Sequence, residues 1–157
     1  MLNQDDQLRA RFAANDRVTF NYRRKTVEGV LIRTNPSRAL VRVGEEEFTV
    51  PYGNLGIDES LAIKRQQRIE RIHETAMQSM RNHGLSKWRF KFDHSTRRAG
   101  CCNYHDRLIS ISFDLARNGS DADIRDTILH EIAHALVGKK HNHDAVWQSK
   151  AREIGCS

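Results

Sequence analysis

The chain has 157 residues, enough for one ordinary domain or two small ones. Hydrophobic residues make up 38% and charged residues 29%, with a mean hydropathy of −0.69, which is polar for a globular protein but not the composition of a disordered one. No apolar run approaches the ~18 residues of a membrane span, and the opening Met1-Leu2-Asn3-Gln4-Asp5-Asp6 lacks the basic and apolar parts of a secretory signal.

Three cysteines, the adjacent Cys101 and Cys102 and a distant Cys156, make no disulfide framework and fit a reducing compartment, so a cytoplasmic protein without membrane association is expected. The net charge of +6 is unevenly spread: residues 61–98 carry 10 Lys/Arg against 3 Asp/Glu, whereas residues 1–60 carry 9 of each and residues 99–157 carry 7 against 8. A basic block attracts polyanions, of which nucleic acid is the commonest in the cytosol. The competing reading is a solvated helix face followed by basic strand edges.

In chain order, residues 3–14 form a short helix carrying Leu8 and Phe12, with Asn15-Asp16 as its stop. Residues 18–50 show period-two runs rich in β-branched side chains at 18–20, 27–33, 38–43 and 48–50, separated by turn clusters at 21–25, 35–37 and 44–45. Four short strands ending at Val50-Pro51-Tyr52 predict a small curled antiparallel sheet or barrel. A long helix over residues 58–83 follows, stopped by Gly84; Leu61, Ile69, Ile72, Ala76 and Met80 lie along one face, and Lys64, Arg65, Arg68, Arg71 and Arg81 decorate the rest. Strand-like runs come at 88–92 and 108–113, with a third at 99–104. A helix over 121–137 opens on Ser120 with Asp123 three residues on, the pattern of a capping box, and ends at Gly138. A last helix, 144–154, presents Val146, Trp147, Ala151 and Ile154 on one side. The class is α+β: a small β-barrel-like module with a short N-terminal helix over residues 1–57, then a second domain over 58–157 built from a helix, a short three-stranded sheet and two further helices.

The stretch that carries chemistry is Leu129-His130-Glu131-Ile132-Ala133-His134. Four residues apart on a helix, His130 and His134 share a face one turn apart, a separation at which two imidazoles hold one Zn²⁺. Glu131 stands beside them without taking a metal position and is the candidate general base for activating water, which is the physical content of a His-Glu-x-x-His motif. The helix's other positions, Ile124, Ile128, Leu129, Ile132 and Leu136, are core-forming. A catalytic zinc needs a third protein ligand and an open fourth position. His141 and His143, seven and nine residues after His134, are the candidates. Zincins of the astacin and matrix-protease type place the third His six residues after the second and add a Met turn downstream; here no Met follows Met80.

His143-Asp144-Ala145-Val146-Trp147, with an aromatic four residues after the His, resembles the SprT-like metalloprotease family over about residues 60–157. The resemblance extends to the basic first helix, the Arg97-Arg98-Ala99-Gly100 turn, the strand Leu108-Ile109-Ser110-Ile111-Ser112 and the helix bearing His130 and His134. It implies a zincin-like domain with His130, His134 and His143 as zinc ligands, Glu131 as the catalytic base, and protein substrates associated with DNA. Arg65, Arg68, Arg71, Arg97 and Arg98 are then the candidate nucleic-acid contacts. Asp144-Ala145 stands where family members often have Gly-Pro. The leading module resembles a Tudor- or KOW-like small barrel in strand count, with Tyr22, Arg23, Arg24 and Arg38 as its candidate contact residues. The alternative function is a non-catalytic nucleic-acid-binding or transcription-associated adaptor with a structural, four-coordinate zinc completed by His141 or Asp144.

Overall fold

The computed structural model describes residues 4–157; Asn3, where the sequence reading starts the first helix, and Met1-Leu2 lie outside the described residues. The chain divides into two compact units, Met1–Glu70 and Arg71–Ser157, and the boundary falls inside the long helix α2, Glu59–Asn82. None of the helices among the described residues is long and apolar enough to cross a membrane.

In the first unit, α1 (Gln4–Ala10) precedes four strands, β1 (Arg17–Tyr22), β2 (Lys25–Thr34), β3 (Arg38–Val43) and β4 (Glu46–Pro51), paired antiparallel in chain order. Alternation buries Val18 and Phe20 of β1 and Ala39 and Val41 of β3 on one face, where they meet Phe12, Leu31, Val50 and Tyr52. The helix α1 is shorter than the periodicity of residues 3–14 predicts. Phe12 lies beyond it and stacks on Tyr52 at 5.5 Å, while Asn15 takes the left-handed conformation (φ 69) that turns the chain into β1. After β4 the chain makes a 3₁₀ turn, Tyr52–Asn54, and Gly56 forms an antiparallel bridge to Thr19 of β1, which curls the sheet towards closure. A Cβ at position 56 would crowd Thr19 Oγ1, so the bridge is closest with glycine there.

The second unit holds a three-stranded sheet of β5 (Arg89–Asp93), β6 (Gly100–Asn103) and β7 (Leu108–Ser112) in the order β5-β7-β6, with β5–β7 parallel and β6–β7 antiparallel. Its central strand β7 is buried from Ile109 to Ser112, as a strand covered on both faces must be. In β5, Phe90 and Phe92 point inward between the exposed Arg89 and Lys91, and the Phe92 ring lies 5.2 Å from that of Phe113. The sequence reading carries this last strand through Phe113. In the structure Phe113 opens a short helix, α3 (Phe113–Asn118), because the Ser112 hydroxyl accepts the Leu115 N–H and turns the backbone. A buried aromatic fits a strand end and a helix start alike, so hydrophobicity alone does not mark that boundary.

Two helices complete the unit, α4 (Asp121–Val137) and α5 (Ala145–Glu153). The capping box at the start of α4 is formed in full, with Asp123 N–H donating to Ser120 Oγ and Ser120 N–H donating to Asp123 Oδ2. Gly138 ends α4 at φ 86. Ile124, Ile128, Leu129, Ile132 and Ala133 bury one stripe of α4, and this fixes the rotation at which its polar residues emerge.

Candidate metal centre

His130 and His134 leave α4 on the same side, and their Nε2 atoms lie 3.3 Å apart. His143, just ahead of α5, brings its own Nε2 to 3.0 Å from each of them. Two nitrogens bound at 2.0–2.1 Å to a tetrahedral ion are separated by about 3.3 Å, so the triangle has the dimensions of three ligands around one cation. Neutral imidazoles have one N–H each, and three ring nitrogens facing a common point cannot satisfy one another by hydrogen bonds alone. A cation at that point resolves the crowding, and the donor set fits a metal of the imidazole-preferring kind.

The loop brings His143, rather than His141, to the pair on α4. Asp144 caps α5: one carboxylate oxygen accepts the N–H groups of Val146 and Trp147 at 3.0 Å each, while the other lies 2.9 Å from His141 Nδ1. This pairing turns His141 aside. His143 takes φ 59, an unfavourable conformation for a residue with a Cβ, and its carbonyl accepts Gln148 Nε2 at 3.1 Å. Trp147, one turn into α5, packs against all three rings, with centroid distances of 4.7 Å to His130, 5.2 Å to His134 and 4.6 Å to His143. The indole is the common wall that holds the imidazoles together.

Electrostatics favour the neutral form that a metal ligand needs. Burial, with the neighbouring imidazoles His130 and His143, lowers the His134 pKa to about 4, and burial followed by His143 lowers that of His130. Glu131 is buried on the same helix (7% exposed), and burial raises its carboxyl to about 7, with Arg98 pulling it down and Asp93 pushing it up. Opposite α4, strand β6 supplies the other wall. A Cβ on Gly100 would stand 2.7 Å from Glu131 Oε1, and the Tyr104 hydroxyl, just after the strand, donates to the His134 carbonyl at 3.1 Å. Burial pushes both the Cys102 thiol and the Tyr104 phenol up to about 12, so both keep their protons at neutral pH. The cleft is open, with a volume of about 450 Å³, and is bounded by the three imidazoles, Glu131, β6 with Tyr104, and the loop from Lys139 to Asn142.

The candidate basic residues are in different situations. Arg65 is half-buried and forks onto the buried Asp16, with Nη2 to Oδ1 at 2.9 Å, and it also reaches the Arg11 carbonyl. Arg68 is half-buried, whereas Arg71, Arg97 and Arg98 are exposed. Arg98 is tied at 2.9 Å to Asp93, whose carboxylate also accepts the Ser110 hydroxyl and the Ser95 N–H. At the tip of the β1–β2 hairpin Arg23 and Arg24 both have positive φ (49 and 64), and the Arg23 guanidinium lies 5.1 Å from the centre of the Tyr22 ring.

Sequence reasoning missed Gly100 and Tyr104 as parts of this cleft. The signal for Gly100 is a glycine opening a strand, which often marks a close approach of another group. Nothing in the sequence marks Tyr104. A family model described as the SprT-like family matches residues 65–157. No curated protein matches the chain.

Proposed function

The chain belongs to the SprT-like family, and from that membership and the three converging imidazoles we propose that it is a zinc-dependent metallopeptidase acting on proteins associated with DNA. The observation that carries the proposal is the meeting of His130, His134 and His143 at 3.0–3.3 Å beside the buried carboxylate of Glu131, at the floor of an open cleft. The three imidazoles hold the ion. When bound there, zinc supplies Lewis acidity, polarising a carbonyl and acidifying water. Glu131 accepts the proton of the attacking water and hands it to the departing amine nitrogen, and its buried setting keeps that proton transfer out of bulk solvent. Strand β6 pairs with β7 on one side and is an edge strand of its sheet, and its Gly100 and Cys102 line the cleft. An extended peptide adding along that edge would be held by backbone hydrogen bonds, which suits a substrate chain lacking secondary structure of its own.

A structural zinc would need a fourth protein ligand. Among the described residues the metal-competent cluster consists of His130, His134 and His143, and His141 and Asp144 face each other instead. This favours the hydrolytic reading over the adaptor. Recruitment to DNA is supported by the local charge excess of residues 61–98 and by the exposure of Arg71, Arg97 and Arg98. The test is the zinc-loaded protein and its Glu131→Gln variant on an unfolded protein substrate. The variant is expected to retain one equivalent of metal and to lose cleavage by about 10²-fold or more. Cleavage at the wild-type rate would remove Glu131 from the mechanism. DNA affinity, measured separately, should fall steeply between about 50 and 200 mM salt.

A further inference from the structure

Strand β6 runs beside α4, and two contacts fix their mutual register: Gly100 lies over Glu131, and Tyr104 reaches the His134 carbonyl. The proton acceptor and the phenol therefore stand at opposite ends of the same strand–helix cleft, and the His130–His134–His143 cluster opens into it with them. A scissile carbonyl approached by water from the Glu131 end has its oxygen displaced towards the other end. The phenol is also replaceable where it rests. The His134 carbonyl accepts the Gly138 N–H at 3.0 Å as part of the helix C-cap, so it stays satisfied if the hydroxyl leaves. A donor parked on an acceptor that already has a partner can be redirected at little cost. The Trp88 indole, edge-on to the Tyr104 ring at 6.3 Å, backs the ring while its hydroxyl turns.

We infer that Tyr104 is a further catalytic residue, whose hydroxyl swings from the His134 carbonyl to the oxygen that becomes negative as water adds to the scissile carbonyl. The inference rests on the hydrolytic reading above. In the step, a water oxygen bonds to the carbonyl carbon while the C=O π pair moves onto the carbonyl oxygen. The water proton passes to Glu131 and then to the amine nitrogen as the C–N bond breaks. Tyr104 keeps its proton throughout and contributes one hydrogen bond that is stronger to the oxyanion than to the neutral carbonyl.

The experiment compares wild type, Tyr104→Phe and Glu131→Gln, each zinc-loaded, with rates normalised to bound metal. Tyr104→Phe is expected to lower kcat by about 10²-fold, with KM within about three-fold and metal content unchanged. A kcat within about three-fold of wild type overturns the inference while leaving the peptidase reading intact. No cleavage by any of the three, wild type included, overturns both. A second measurement guards against a variant with a loosened cleft: binding of a peptide phosphonate, which mimics the tetrahedral adduct, against binding of the corresponding uncleaved peptide to proteins carrying Glu131→Gln with and without Tyr104→Phe. Loss of about 10²-fold for the phosphonate alone supports the assignment. Equal losses for both ligands make Tyr104 a structural pin of the β6–β7 turn and overturn it.

Discussion

Gly100 and Glu131 are built against each other, since a methyl group at position 100 would stand 2.7 Å from Glu131 Oε1 and 2.9 Å from its Cγ. The absence of a side chain at the start of β6 is what gives the carboxylate its place. Gly100→Ala is therefore expected to displace Glu131 while leaving the imidazoles alone. A shift of about 1 Å in a reacting group can cost about 10²-fold in rate, and overpacking costs about 1–3 kcal/mol in stability. Metal content measured beside kcat separates the two effects: metal should stay at the wild-type level while kcat falls.

Asp144 does two jobs at once, capping α5 and pairing with His141. Asp144→Ala removes the cap that sets the backbone turn at His143. Losing such an outer support typically weakens metal affinity by about 10–100-fold. Competition with a chromophoric chelator would measure the loss, and His141→Ala should show a smaller one, because the cap bonds to Val146 and Trp147 survive it.

Removing the ion leaves three ring nitrogens 3.0–3.3 Å apart around a common point. A metal held by this arrangement only in the folded protein would stabilise it by mass action, by about 4 kcal/mol at a free concentration 1,000 times Kd. Chelation should lower Tm by several degrees, and added zinc should restore it. In His143→Ala the metal-dependent part of Tm should largely vanish, because two helix-borne imidazoles remain without the third that ties the α5 region to α4. A metal-dependent rise as large as that of wild type would contradict the three-ligand geometry.

How much of this site is legible in the sequence follows from how local each part is. His130, Glu131 and His134 can be read because helix periodicity alone fixes their relation, and the Ser120–Asp123 capping box announces the helix that carries them. The choice between His141 and His143 turns on one backbone angle, φ 59 at His143, and on which neighbour Asp144 engages, and no spacing rule contains either. Gly100 and Tyr104 owe their places to the register of β6 against α4, which is a tertiary relation. Arg65 shows the same limit from the other direction: it reads as one more cation on a basic helix face, but its partner Asp16 is 49 residues away in the chain.

The Arg65–Asp16 pair carries a prediction of its own. The Asp16 side chain is 6% exposed and that of Arg65 25%, so Arg65→Ala would deprive a buried carboxylate of this ion-pair partner. Breaking a buried pair in this way costs about 3–5 kcal/mol. Arg97→Ala, on an exposed side chain, should leave stability within about 0.5 kcal/mol. If Arg97 touches phosphate, its loss lowers the salt slope of DNA binding by about 1. Urea titrations of the two variants, read beside their salt profiles, separate a structural arginine from a surface one.

Asp93 contributes to the acid sensitivity of the second unit. Burial is the largest influence on its carboxyl and acts to raise its pKa, but the hydrogen bonds from Ser110 Oγ, Ser95 N–H and Arg98 outweigh it and leave the group below its usual range. Asp93 in turn pushes the Glu131 carboxyl upward. A carboxyl whose folded pKa lies below its unfolded value of about 3.9 binds fewer protons when folded. Its contribution to stability is fully present above the unfolded pKa and is lost as pH falls through the folded one. Asp93→Asn should therefore be less stable than wild type at pH 7, and the gap should close below about pH 4 as the native carboxylate is protonated. Denaturant midpoints for both proteins from about pH 3 to pH 7 test this directly. A gap that stays constant across the range would mean that Asp93 stabilises the sheet by shape and not by charge.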